Sequence, residues 1–216
     1  MRPRVILITD PAFGDDGIVR CVRAVGRALP AGALLVQLRD KRRPRIGLRI
    51  FAAELRRVTR AVGAALVVNG DAVVARDVGA DGVHLGGNAH ETLGIAGARG
   101  IAGARAWVSV AAHSDDDVRR AAREGADAVL VSPVFATRGT ASGASTKAGR
   151  GLGAIGSARQ SAPASLAVYA LGGVTADNAR QCAEAGADGV AVMRALLACA
   201  EPAWMARGIH DALARR

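Results

Sequence analysis

Aromatic side chains are scarce in this chain: two Trp, one Tyr and three Phe make up 3% of its 216 residues. That scarcity argues against a surface that stacks nucleic-acid bases on rings, although a net charge of +10 would otherwise suggest one. The arginines are instead scattered along nearly every candidate helix, which reads as a solvated surface. Lysine is scarcer still, because only Lys41 and Lys147 are lysines among 29 basic residues. In a chain that otherwise uses arginine, those two positions point to a task suited to a compact ammonium rather than a planar guanidinium. The three cysteines, Cys21, Cys182 and Cys199, have no C-x-x-C spacing and no nearby histidine pair, which excludes a zinc site and fits a reducing compartment. Cys182 and Cys199 fall on helical stretches as small packing residues. Long apolar runs are also missing. None approaches the ~20 residues that cross a bilayer, and Met1-Arg2-Pro3-Arg4 is followed only by the short run Val5 to Ile8. The expectation is a soluble, unexported cytoplasmic protein with neither nucleic acid nor membrane as partner.

What is present is a regular alternation. Short β-type apolar runs alternate with longer amphipathic stretches rich in Ala and Arg, the pattern of β-α units around a parallel sheet. The strands predicted are Val5–Thr9, Leu34–Arg39, Ala65–Asn69, Gly82–Gly86, Ala106–Val110, Ala128–Pro133, Ala167–Leu171 and Gly189–Met193. The helix after the fourth is the weakest, since Gly86 to Gly103 is glycine-rich. Gly-Ala-Asp followed by Gly or Ala and then Val recurs at residues 79, 125 and 186, each copy closing a helix and opening a strand. With no linker visible, the fold class is α/β, a single (β/α)8 TIM barrel over residues 1–216. The stretch Ala136 to Gly151, rich in Gly, Ala, Ser and Thr, reads as a loop over the active face.

Catalytic groups in such barrels cluster where strands end, and phosphates sit behind strands seven and eight on backbone N–H groups. Leu171-Gly172-Gly173-Val174-Thr175 supplies two glycines that let backbone approach an anion, with Thr175 placed to cap the next helix. Val192-Met193-Arg194 ends strand eight, where Arg194 offers a cation. At the end of strand two, alternation points Gln37, Arg39 and Lys41 the same way. Their chemistry suits a polyanion joined to a ring or amide edge. Asn69-Gly70-Asp71 ends strand three as a turn, a cap or a polar pair at the site. His84 reads as a satisfied barrel-interior histidine, and His113, beside the Ser114-x-x-Asp117 capping box, as a residue that positions a loop.

The ordered set Val36 to Lys41, Val68-Asn69, Gly79 to Gly86, Ser132 to Thr137, Leu171 to Val174 and Ala187 to Val192 resembles the thiamine phosphate synthase/TenI superfamily over nearly the whole chain. The resemblance implies a barrel that joins hydroxymethylpyrimidine diphosphate to a thiazole phosphate and releases diphosphate, with Mg2+ assisting the leaving group. It implies that Gln37, Arg39, Lys41 and Asn69 hold the pyrimidine diphosphate. It further implies that Thr137 and a following Lys, here Lys147, close over that substrate, and that Gly172, Gly173, Met193 and Arg194 hold the thiazole phosphate. A homo-oligomer stays open.

Departures from the synthase pattern are visible too. Asn69-Gly70 stands where synthases carry Asn-Asp, Gly86-Gly87-Asn88-Ala89 lacks a second Asp, and Ala111 replaces a Ser. Asp71 and Asn88 are the adjacent residues that remain as magnesium ligands, and a carbonyl-type donor holds Mg2+ less well than a carboxylate. Asn-Gly, Ala191-Val192-Met193 and Ala200-Glu201-Pro202 resemble the TenI branch, whose thiazole tautomerases need no metal. The tautomerase histidine expected beside Val134, however, is Pro133 here, as in synthases. The readings are a synthase, chosen because the Gln37, Arg39 and Lys41 triplet has no evident use in a tautomerase, then a TenI-like tautomerase or a silent binder of phosphate ligands. A sugar-phosphate epimerase needs carboxylate bases or metal ligands at strand ends that the sequence does not offer.

Overall fold

The computed structural model describes residues 2–86, 88–137 and 148–214, with Asn88 in its backbone only. β1 (Val5–Ile8), β2 (Leu34–Leu38), β3 (Ala65–Asn69), β4 (Gly82–Leu85), β5 (Trp107–Ala112), β6 (Ala128–Val131), β7 (Ala167–Leu171) and β8 (Gly189–Val192) form a closed parallel barrel in chain order. It is sealed where Val5, Ile6 and Leu7 pair with Val190, Ala191 and Val192. The strands are mostly β-branched or aliphatic and almost wholly buried, as expected of strands covered on both faces. All eight expected strands are found, with ends shifted by two residues at most. The third and seventh coincide with expectation, and the fifth runs on to Ala112.

The helical layer comprises α1 (Gly14–Ala28), α2 (Arg45–Ala61), α3 (Ala72–Asp77), α4 (Asn88–Thr92), α5 (Gly94–Ala102), α6 (Asp115–Arg123), α7 (Gly153–Ser161), α8 (Ala179–Glu184), α9 (Arg194–Leu197) and α10 (Pro202–Ala214). The weak region after β4 is helical but broken into α4 and α5. Among the described residues no helix is long and apolar enough to cross a membrane. Cys182 is buried on α8, whereas Cys199 lies just past the short α9 instead of within a helix. The cysteines are free, and burial, with Cys199 nearby, pushes the Cys21 thiol up to about 12.

The Gly-Ala-Asp repeat closes the N-terminal end of the barrel by one device used three times. Asp81, Asp127 and Asp188 each accept a hydrogen bond from a backbone N–H of the preceding strand, of Leu66, Val108 and Val168 in turn. Each carboxylate is also paired with an arginine on a helix upstream: Arg56 on α2, Arg99 on α5 and Arg159 on α7. Strand, helix and repeat are thus joined through charge-assisted bonds.

Candidate active site at the barrel mouth

Inward-facing residues divide the barrel into an apolar floor and a polar rim. Ile6, Leu35, Val67, Leu130 and Tyr169 fill the floor, and the Tyr169 hydroxyl donates to the Pro3 carbonyl at 2.7 Å. One alternation step further along strands β2 to β5 stand Gln37, Asn69, His84 and Ser109. Gln37 is 2% exposed, and its Nε2 donates to Asn69 Oδ1 at 3.4 Å. His84 is buried, with Nδ1 2.9 Å from Ser109 Oγ. Burial, aided by the Arg39 positive charge, lowers its pKa to about 4. It is the interior histidine that the sequence implied, neutral at pH 7.

Arg39, Asp40 and Lys41 lie beyond the end of β2. The Thr9 hydroxyl, at the end of β1, accepts from the Arg39 N–H at 2.8 Å. Asp40 Oδ1 then accepts the N–H groups of both Arg42 and Arg43, which turns the chain sharply. Strand alternation therefore carries Gln37 inward but does not extend to Lys41, which is exposed in the turn. The expectation that three residues point the same way is corrected there, because an aspartate-capped turn replaces the strand.

On the opposite side, the segment after β6 runs along the end of β7: Val134 N–H donates to Leu171 O and Phe135 N–H to Gly172 O. Gly172 and Gly173 have φ of 104° and 64°, and a Cβ on Gly173 would lie 2.7 Å from Phe135 Cβ. Both the backbone conformation and the close approach call for glycine. Asn178, not Thr175, ends this loop at α8. Its Oδ1 accepts from Thr175 N–H and its Nδ2 donates to the Gly173 carbonyl. Sequence reasoning missed Asn178, since Thr175 is the nearer cap candidate. Met193 is partly buried against the barrel floor, and Arg194 opens α9 with its side chain exposed. Thr137 is half-buried on the loop after β6, while Lys147 and the Asn88 side chain lie outside the described residues. His113 Nδ1 lies 3.0 Å from the Ser132 carbonyl. It must therefore carry the proton, and it ties the β5 loop to the β6 loop as expected.

The family model of thiamine monophosphate synthase matches residues 5–196. The chain belongs to the thiamine monophosphate synthase family. It is 40% identical over 187 residues to a thiamine-phosphate synthase of Methanoculleus marisnigri, covering 87% of this chain and 85% of that one. To the thiamine-phosphate synthase of Moorella thermoacetica it is 33% identical over 210 residues, 97% of this chain and 95% of the relative. In structure it is similar to thiamine phosphate pyrophosphorylase from Pyrococcus furiosus, with a TM-score of 0.82, 27% identity, and coverage of 99% of this chain and 96% of that one.

Within the thiamine monophosphate synthase family, a magnesium ion is the group whose fit must be tested. Asp71 does not offer a vacant carboxylate. Its Oδ1 caps α3 by accepting from Val74 N–H, and its Oδ2 is 2.8 Å from Arg45 Nε. Gly70 stands at φ 76° and brings no side chain to this point of the rim. Among the described residues no three His, Cys, Asp or Glu side chains converge on one point. Among the described residues there is no all-protein cage for a divalent cation, and Asp71, the candidate ligand among them, is already engaged by Val74 and Arg45. The positive charge they do bring to this rim is that of Arg39, with Lys41 in the turn beyond it.

Proposed function

We propose that this chain joins a hydroxymethylpyrimidine diphosphate to a thiazole phosphate and releases diphosphate, as a thiamine-phosphate synthase. The observation that carries the reading is the Gln37–Asn69 amide pair beside Arg39, at the polar rim of a barrel with an apolar floor. In that reaction the bond from the pyrimidine's methylene carbon to a diphosphate oxygen breaks and a bond to the thiazole forms. The barrier is dominated by charge that grows on the departing diphosphate, so cations matter more than a base.

Gln37 and Asn69 already satisfy one another through one donor and one acceptor. The remaining amide oxygen and N–H2 are left to read the edge of a nitrogen heterocycle. Arg39 and Lys41 take the diphosphate in this reading, joined from the loop after β6 by Thr137 and Lys147. Gly172 and Gly173, with Met193 and Arg194 at the end of β8, take the thiazole phosphate on backbone N–H groups and a guanidinium. His84, neutral and buried within the rim beside Ser109, holds shape and moves no proton. Magnesium has no step in this scheme, because the charge of the leaving group falls to cationic side chains. Both substrates carry phosphate charges that resist passage through a bilayer, which suits a cytoplasmic enzyme.

A second reading, the TenI-like tautomerase, is favoured by Gly70 and by the committed state of Asp71. It lacks a base where one is required, since Pro133 occupies that place. Incubation with both substrates, followed by oxidation of any thiamine phosphate to fluorescent thiochrome, separates the two. The synthase reading predicts product only when both substrates are present. Turnover of a thiazole carboxylate phosphate alone would replace it with the tautomerase.

A further inference from the structure

We infer that Arg43 and Asp15 form a clasp that positions the Arg39–Lys41 segment for the diphosphate; the inference rests on the synthase reading above. Arg43 has no guanidinium nitrogen to spare. Its Nη1 and Nη2 are 2.8 and 2.6 Å from the two oxygens of Asp15, and its Nε is 2.9 Å from Asp40 Oδ2. The guanidinium also lies over the Phe51 ring at 4.8 Å from its centroid. Two aspartates hold Arg43 firmly in its charged form, raising its pKa above the ordinary arginine value. A side chain so fully engaged does not reach a ligand; it acts through what it holds.

What it holds is the turn after β2. Asp40 uses Oδ1 to gather the N–H groups of Arg42 and Arg43, and Oδ2 to receive Arg43 Nε. Lys41 therefore sits at the apex of a turn closed on itself. The turn is also tied at both ends to the chain that leaves β1. Thr9 accepts from the Arg39 N–H at one end, and Asp15, in the first turn of α1, grips Arg43 at the other. A free lysine at a loop apex explores many rotamers and backbone positions, and a ligand that fixes it must offset that entropy. A turn braced at two points has lost part of that freedom before the anion arrives, which is preorganisation by a planar, bidentate fork that lysine cannot reproduce.

The test compares wild type with Arg43→Lys, Asp15→Asn and the double variant, with Asp116→Asn as control. Asp116 makes an exposed ion pair with Arg119 within α6, outside the clasp. Steady-state kinetics are read for each substrate separately, and inorganic diphosphate binding is read by titration calorimetry. Each single variant is expected to raise KM for the pyrimidine diphosphate and the Kd for diphosphate by about tenfold, with KM for the thiazole phosphate unchanged. The double variant is expected to be no worse than either single one, because one clasp is lost once. Unchanged KM and Kd in an active, folded Arg43→Lys protein would overturn the inference, as would equal rises for both substrates with a fall in melting temperature, the mark of a purely structural role. Asp15→Asn, altering a half-exposed residue, provides the same readout should Arg43→Lys fail to fold. Wild type that neither binds diphosphate nor forms product would overturn the synthase reading first, and this inference with it.

Discussion

His84 shows what a single buried group does to the whole chain's response to acid. In the unfolded chain it titrates near its ordinary value of 6.5, and in the folded barrel burial and Arg39 hold it at about 4. Between those values the unfolded state binds the extra proton, so stability is complete above about pH 6.5 and falls as the pH drops toward 4. By pH 5 the loss from this one residue is about 2 kcal/mol. Denaturant unfolding at pH 7 and pH 5 checks it: His84→Asn is expected to lose about 2 kcal/mol less than wild type across that interval. Equal losses in both proteins would mean that His84 is not the acid-sensitive group. Gly173 is the second position where one residue decides an outcome. Gly173→Ala places a Cβ against Phe135 in a left-handed conformation. A cost of about 2 kcal/mol is expected, a drop in melting temperature of roughly 4–8 °C. KM for the thiazole phosphate is expected to rise in parallel, measured by thermal unfolding and by kinetics.

At the scale of elements, the Gly-Ala-Asp repeat is where sequence and structure meet most instructively. Its recurrence announces helix ends and strand starts, because glycine at a helix C-terminus leaves a local signature. Its aspartates give no such local sign of their partners. Asp127 reaches the Val108 N–H 19 residues back and Arg99 28 residues back, and only the closed barrel places them together. Asp127→Ala would leave a strand N–H without its acceptor and Arg99 without its carboxylate, at a cost of about 2 kcal/mol. Asp127→Asn, which keeps an oxygen for Val108, is expected to lose about half as much, measured by chemical denaturation. Equal losses would show that the charge pair, rather than the strand cap, matters. The strands were legible because each is a short β-branched run bounded by glycine or polar residues. The Arg43 clasp was not, since Arg43 is one of three arginines in the run Arg42-Arg43-Pro44-Arg45 and its partner Asp15 lies on the preceding β-α unit. The direction of Lys41 was misread for a related reason: period-two alternation holds only while the strand lasts, and Asp40 ends it.

At the scale of the molecule, closure of the barrel does what no segment does alone. It brings the end of β2 beside the end of β3, through Gln37 and Asn69, and the segment after β6 against the double glycine after β7. The mouth thereby carries an amide pair and Arg39 on one side and the double-glycine backbone on the other, which the synthase reading assigns to two different phosphorylated partners. The fold was readable from ordered short motifs spread over the chain. The state of Asp71 was not, because a carboxylate in a sequence does not show whether a helix cap and an arginine have already taken its oxygens. The central claim is that joining of the two substrates depends on the cationic rim built around Arg39. Its most direct test is the rate of thiamine phosphate formation by wild type and by Arg39→Gln, a variant that keeps a polar side chain while removing the charge. Product from wild type, with kcat/KM lower by about a hundredfold in a folded Arg39→Gln protein, is the predicted result. Equal rates in the two proteins, or no product from folded wild type, would contradict it.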